Sequence, residues 1–436
     1  MPMIDGDSQE RRGTSVPEPQ VATTPEPTLF DKCHAFFHED GHYSMAKRDG
    51  LYPYFRPIER NDGTRAIMNG REIIMAGSNN YLGLVSDPRV RQAASDAIEQ
   101  YGTGCTGSRF LNGTLDIHIQ LEERLAHFMG KEACVLYSTG YMTNQGVIQA
   151  LTAKGDIIFS DKDNHACIVA GTMVSTADTW RYRHDDMNHL RLLLQKAANE
   201  RPDAGKLIVT DGVFSMSGVI ASVPELVELA TEFGAVLMLD DAHAVGVIGK
   251  GGRGAAAYYD LGDKVHLTTG TFSKSFASLG GFCVGDADVV EFLRHNSSTH
   301  IFSASMPPAN VATVLKCLEI LETEPERLER LWKISDYMRD GFRSAGFNVW
   351  TSQAPIIPVV IGDMNTSFRF WNRLIEEGVF VNAVVPPAVP RGQSLMRTSY
   401  MATHSDEELD FILDAFERVG KELHVIGYNG MADASS

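Results

Sequence analysis

The chain has 436 residues, with 39 basic against 56 acidic side chains and a formal net charge of −17, a surface that repels phosphate backbones, so nucleic acid is not an expected partner. At 43% hydrophobic and 22% charged residues the composition is that of an ordinary globular protein, long enough for two or three domains. No apolar run approaches the roughly 18 residues of a membrane helix, and the opening MPMIDGDSQERR has no apolar h-region, so a cytoplasmic protein without export signal is expected.

Residues 1–28, rich in Pro, Thr, Ser, Glu and Gln, are expected to form a flexible tail. Residues 29–85 read as an arm: a helical start in LFDKCHAFF, proline-interrupted YPYFRPIE, and a hairpin turning at Asn69-Gly70. From 86 to 305 helical stretches alternate with apolar runs, which marks a doubly wound α/β domain. The strands are ACVLYS (133–138), DIIFSD (156–161), KLIVTDGV (206–213), AVLMLDD (235–241) and FCVGD (282–286), and VPELVELATEFG (223–234) is a helix closing on a glycine cap. Residues 306–436 read as a smaller α+β domain: a long helical pattern from MPPAN to about Ala345, short strands near IIPVVIG and FVNAV, and a last helix opening at Ser405 with SDEE. The six cysteines are scattered singly, without paired metal-ligand spacing, so reduced thiols and no metal site are expected.

Gly102, Gly104 and Gly107 spell G-x-G-x-x-G, but they follow a helical stretch where a dinucleotide fingerprint needs a strand. A glycine turn passing close to other backbone is the better reading, and a Rossmann oxidoreductase the weaker alternative. After ACVLY, the turn Ser-Thr-Gly opens a helix whose free N–H groups and dipole suit a phosphate, with the ring of Tyr141 beside it. Asp240, Asp241 and His243 follow a strand at its carboxyl end; the two adjacent carboxylates point opposite ways, so a single Asp facing a protonated nitrogen fits better than a metal. Lys274, in TTGTFSKSFASLGGF, has small neighbours and no acidic residue within four positions; partly desolvated, its amine can bond to an aldehyde. Lys250, in GKGGRG, is too loosely held for that task. His165 follows another strand end. Phosphate turn, ring partner, buried Asp and isolated Lys together describe a pyridoxal 5′-phosphate (PLP) site.

The segments SNNYLGL, GCTGSRFLNGT, YSTGYMTNQG, DNHA, LDDAHAVG, GTFSKSFASLGG and IFSASMPP, in this order over about residues 75–405, resemble the α-oxoamine synthases, fold-type I PLP enzymes. Within that family GSRFLNGT, FSASMPP and PPAVPRG are most similar to bacterial serine palmitoyltransferases; 8-amino-7-oxononanoate and 2-amino-3-ketobutyrate synthases are near relatives. The resemblance implies a mostly parallel sheet of the seven-stranded type with a smaller C-terminal domain. It implies condensation of L-serine with a long-chain acyl thioester, on coenzyme A or an acyl carrier protein, giving 3-oxosphinganine and carbon dioxide at the head of sphingolipid synthesis. Alanine or glycine would replace serine in the relatives.

By the same resemblance, Lys274 matches the cofactor-bonding lysine, Asp240 the pyridinium partner, His165 the imidazole stacked on the ring and His243 the group near the phenolic oxygen. Gly140, Tyr141, Thr271 and Ser273 match the phosphate positions. Ser303 matches a residue reaching the phosphate of a neighbouring subunit, which implies a homodimer with shared active sites. Arg397 and Asn80 match substrate-binding positions. Val385, before Pro-Pro, departs from the arginine that some serine palmitoyltransferases carry there. Peripheral membrane contact would rest on an amphipathic surface helix, of which no clear one is seen.

Overall fold

The computed structural model describes residues 28–38 and 41–427; the tail expected over 1–28 lies, but for Thr28, outside the described residues. The chain divides into two compact units, one ending at Tyr52 and one beginning at Pro53. The first contains the helices Asp31–Phe36 and His42–Arg48, each too short to be stable alone. The Tyr43 and Tyr52 rings meet edge-on with centroids 5.3 Å apart, and the Lys47 ammonium sits 4.3 Å from the Tyr52 centroid.

The second unit opens with three antiparallel strands, β1 (Arg60–Asn61), β2 (Arg65–Met68) and β3 (Arg71–Met75). The expected hairpin forms: Asn69 and Gly70 both take positive φ, 51° and 68°, as a two-residue turn matched to strand twist requires. Seven strands then build the main sheet: β4 (Ala133–Tyr137), β5 (Ile157–Asp161), β6 (Asp178–Tyr182), β7 (Lys206–Asp211), β8 (Val236–Asp240), β9 (Leu267–Thr271) and β10 (Gly281–Gly285). Their order is β4-β10-β9-β8-β7-β5-β6, parallel throughout except for β10, which runs against both neighbours.

Helices cover both faces, and alternate residues of one strand serve opposite cores. Ile208 and Leu237 pack with Leu190, Leu194 and Leu226, whereas Val209 and Met238 pack with Val147, Ile148 and Ile168. Burial on both sides is why these strands read as continuous apolar runs. Two strands carry no such signal. β6, DTWRY, is an edge strand that exposes Asp178 and Arg181, and β9, LTTGT, is central but hides Thr269, whose hydroxyl finds a partner inside.

The smaller C-terminal domain holds the antiparallel sheet β11-β14-β13, from β11 (Ile356–Gly362), β13 (Asn382–Val384) and β14 (Ser394–Ser399). β12 (Val379–Phe380) leaves it to pair in parallel with β3. The long helix expected from 306 to 345 is two helices, Pro308–Thr323 and Pro325–Ser344, because Pro325 lacks the N–H needed to continue the first. The helix Asp406–Glu422 starts at Ser405 with a reciprocal cap: Glu408 N–H donates to Ser405 Oγ and Ser405 N–H to the Glu408 carboxylate, both at 3.2 Å. Among the described residues no helix is long and apolar enough to cross a membrane.

Candidate active site

In an open parallel sheet the strands leave a crevice at their carboxyl ends. Here the segments after β4, β5, β7, β8 and β9 enclose a cavity of about 270 Å³. Thr139, Gly140 and Tyr141 come from the first, His165 and Cys167 from the second, Asp211 and Ser215 from the third, Asp240 and His243 from the fourth, and Thr271, Ser273 and Lys274 from the fifth. Eight of the expected residues therefore share one space although they lie up to 134 positions apart (274 − 140).

One wall is built for an anion. Thr139 caps the helix Gly140–Leu151, its Oγ1 accepting the Met142 N–H at 3.1 Å, while the remaining first-turn N–H groups have no intrahelical partner. Gly140 cannot be replaced without movement, since a Cβ there would lie 2.6 Å from Cβ and 2.8 Å from Oγ1 of Thr271. That closeness brings the Thr271 and Ser273 hydroxyls, 2.9 Å apart, beside the positive end of the helix dipole.

The opposite end carries acid. The Asp240 carboxylate accepts Asn144 Nδ2–H at 2.7 Å and the Ala242 N–H at 3.0 Å, and the Cys167 thiol lies 3.6 Å away. Asn144 is held in turn by the Thr269 hydroxyl, which donates to its Oδ1 at 3.0 Å. Asp211, the register partner of Asp240 on β7, accepts the His165 N–H at 2.8 Å. Burial, and then the charge of Asp240, push the Asp211 carboxyl well above the usual range.

Lys274 faces this end. Burial lowers its pKa, against the upward pull of Asp240, which favours a free amine over a surface ammonium. No salt bridge joins it to a described residue. His165 caps the helix Ala166–Val174 with its ring, and burial lowers its pKa, so the imidazole is neutral. His243, depressed further by burial, meets the Tyr81 hydroxyl with its Nδ1 at 2.9 Å. Arg397, on β14, is 4% exposed; its Nε–H donates to the Ser215 carbonyl at 2.6 Å, and Nη2 is buried with no partner. An orphaned guanidinium N–H of this kind suits a carboxylate.

Three expected residues are not among those lining the cavity: Arg397, whose Nε–H is tied to the lining Ser215, and Asn80 and Ser303. Asn80 is buried, but its Oδ1 accepts the N–H groups of Leu84 and Val85, at 3.0 and 3.3 Å, so it holds a turn and does not line the cavity. Ser303 lines a separate small cleft with Arg109 and His300. The glycine run at 102–107 follows the helix Pro88–Tyr101, and a Cβ on Gly107 would collide with Asn112, as expected of a close-approach turn. Tyr81, Asn144, Cys167, Asp211 and Ser215 were not foreseen. Only Asp211 carried a usable signal, since it ends a predicted strand just as Asp240 does.

A phosphorylated ring aldehyde fits this set: the cradle takes the phosphate, the triply contacted carboxylate a ring nitrogen, and the amine the aldehyde. The aminotransferase class I and II profile matches residues 71–416. The serine palmitoyltransferase of Sphingobacterium spiritivorum is 48% identical over 379 residues, 87% of this chain and 94% of that one. The 8-amino-7-oxononanoate synthase of Symbiobacterium thermophilum is 43% identical over 380 residues, 87% and 96%. A solved structure of SPT with PLP internal aldimine superposes with a TM-score of 0.88 at 34% identity, over 92% of this chain and all of that one. The chain belongs to the aminotransferase class I and II family, among the α-oxoamine synthases that its motifs resemble.

Proposed function

We propose that the protein is a PLP-dependent C-acyltransferase that condenses L-serine with a long-chain acyl thioester. The observation that carries this is the cavity itself, where a desolvated Lys274 shares one space with the Asp240 carboxylate and a helix N-terminus fit for phosphate. The similarity to serine palmitoyltransferases supports the choice of reaction.

Thr139–Tyr141, Thr271 and Ser273 would hold the phosphate, Asp240 the ring nitrogen, His165 a ring face and His243 the phenolic side, with Lys274 as covalent anchor. The bound group supplies an aldehyde that takes up amines and a ring that accepts the electron pair left when a Cα–H bond breaks. Around it the side chains have separate tasks. Arg397 holds the amino-acid carboxylate through its free Nη2. Lys274, its amine made a weaker base by burial, removes the proton from serine Cα when released. Asn144 and the Ala242 N–H hold the Asp240 carboxylate in its aim. In balance, Cα bonds to the thioester carbonyl carbon, the C–S bond breaks and the thiol leaves. The serine carboxylate departs as carbon dioxide and a proton returns to the same carbon, giving 3-oxosphinganine from a palmitoyl donor. Ser303, outside this chain's cavity, would serve the neighbouring subunit of a homodimer.

An 8-amino-7-oxononanoate-type reaction with alanine is the second reading, favoured by the 43% identity to that enzyme and by Val385. The test is turnover of palmitoyl-CoA and palmitoyl-carrier protein with serine, alanine and glycine, products read by mass spectrometry. Serine is expected to give the long-chain amino ketone. Turnover with alanine alone transfers the assignment to the second reading, and absence of a bound-cofactor absorbance band removes both.

A further inference from the structure

Cys167 is the second residue of the helix that His165 caps, and its side chain turns back into the cavity. Its Sγ lies 2.9 Å from Nδ1 of His165, 3.6 Å from Oδ2 of Asp240 and 3.3 Å from Nδ2 of Asn144. The residue is 3% exposed. Burial, reinforced by the charge of Asp240, raises its pKa far above the ordinary thiol range, so the group is S–H and not a nucleophilic thiolate.

The hydrogen inventory is then closed. Nδ1 of His165 accepts the Cys167 backbone N–H at 3.2 Å, so that nitrogen bears no proton and the neutral ring is protonated at Nε2. The Asn144 amide donates towards the sulfur. One thiol hydrogen remains, and it faces two acceptors, the imidazole nitrogen and the carboxylate oxygen. These belong to different strand ends, β5 and β8, which are not neighbours in the sheet.

We propose that Cys167 is a positioning residue of the cofactor cavity, whose single S–H hydrogen, shared between Nδ1 of His165 and Oδ2 of Asp240, sets the separation of the two groups. This rests on the PLP reading above. Cys167 touches no reacting atom; it acts through His165 and Asp240.

The test compares Cys167→Ser, which keeps one hydroxyl hydrogen, with Cys167→Ala, which keeps none. Cys167→Thr and Cys167→Val serve as a second pair of matched volume in case alanine prevents folding. Apoprotein is titrated with PLP, and the absorbance of the bound cofactor is followed against pH. The donor-free variants are expected to weaken PLP binding about three- to tenfold, the range of one lost hydrogen bond, and to move the absorbance midpoint by about half a unit. The hydroxyl variants are expected to stay within about twofold of the native protein, with its midpoint. Packing alone would make serine at least as damaging as alanine. Equal losses within each pair, or no loss in either, overturn the proposal while the native protein still binds PLP; failure of the native protein to bind withdraws the PLP reading and this inference together.

Discussion

Lys274 and Lys250 both sit in glycine-containing loops against a cavity, yet the cavities differ in kind. The cleft beside Lys250 is the larger, about 1050 Å³ against 270 Å³. It is walled by Leu321, Leu328 and Trp332, with Glu322, Glu329 and Asp260 at its edge, and Lys250 is exposed. Gly249, Gly251, Gly252 and Gly254 all take positive φ, so that loop follows a path few other residues could adopt. Around Lys274 the space is a quarter as large but dry enough to lower the pKa of an amine. Volume does not make an active site; removal of water from charged groups does, because that is what shifts their proton affinities.

The contrast repeats at adjacent positions. Asp240 meets Asn144, Ala242 and Cys167 at the small cavity. Asp241 turns the other way: its Oδ2 accepts the Ala255 N–H at 3.0 Å, and Cβ atoms on Gly212 or Gly254 would lie 2.0 Å from its oxygens. It packs the glycine-rich loop down. The opposite orientation read from the sequence is what the strand imposes.

Paired substitution separates the two lysines. Lys274→Ala is expected to lower kcat about 10³-fold or more and to abolish the covalently bound cofactor band, whereas Lys250→Ala stays within about twofold; comparable losses would sink the distinction. Next in size, Arg397→Ala is expected to raise KM for the amino acid about 10- to 100-fold with little change in KM for the thioester, as steady-state kinetics in both substrates would reveal. The smallest effect concerns stability. Burial raises the Asp241 pKa to about 7 from 3.8, so unfolding releases its proton between those values. The stability it contributes is complete below pH 3.8 and is lost as pH rises through 7. Asp241→Asn, which cannot ionise, is therefore expected to melt several degrees above the native protein at pH 8 and level with it near pH 4, by calorimetry. A gap that grows towards acid would contradict the assignment.

Asp240 and His165 were legible because each comes at a predicted strand end, and strand ends of a parallel sheet gather at one edge whatever the order of the strands; Lys274 was legible from its small neighbours and the absence of a nearby acidic residue. The strand order was not legible, and with it went Asn144, Cys167 and Tyr81, whose partners lie 23 to 162 positions away. β9 was missed for the same reason: its Thr269 sits at the sheet centre with a hydroxyl received by Asn144 and the Leu239 carbonyl.

Asn80 marks the limit from the other side. Its motif was read for a substrate role; what folding adds is that its amide oxygen accepts the Leu84 and Val85 N–H groups. From composition, period and turn chemistry alone came the alternation of strand and helix, the phosphate-ready turn and the lysine without a local counter-charge, because these depend on neighbours in the chain. Which carboxyl is pushed towards its acid form, which imidazole is neutral and which guanidinium N–H is left open were decided only by folding, since desolvation and hydrogen bonding are set by residues brought together in space.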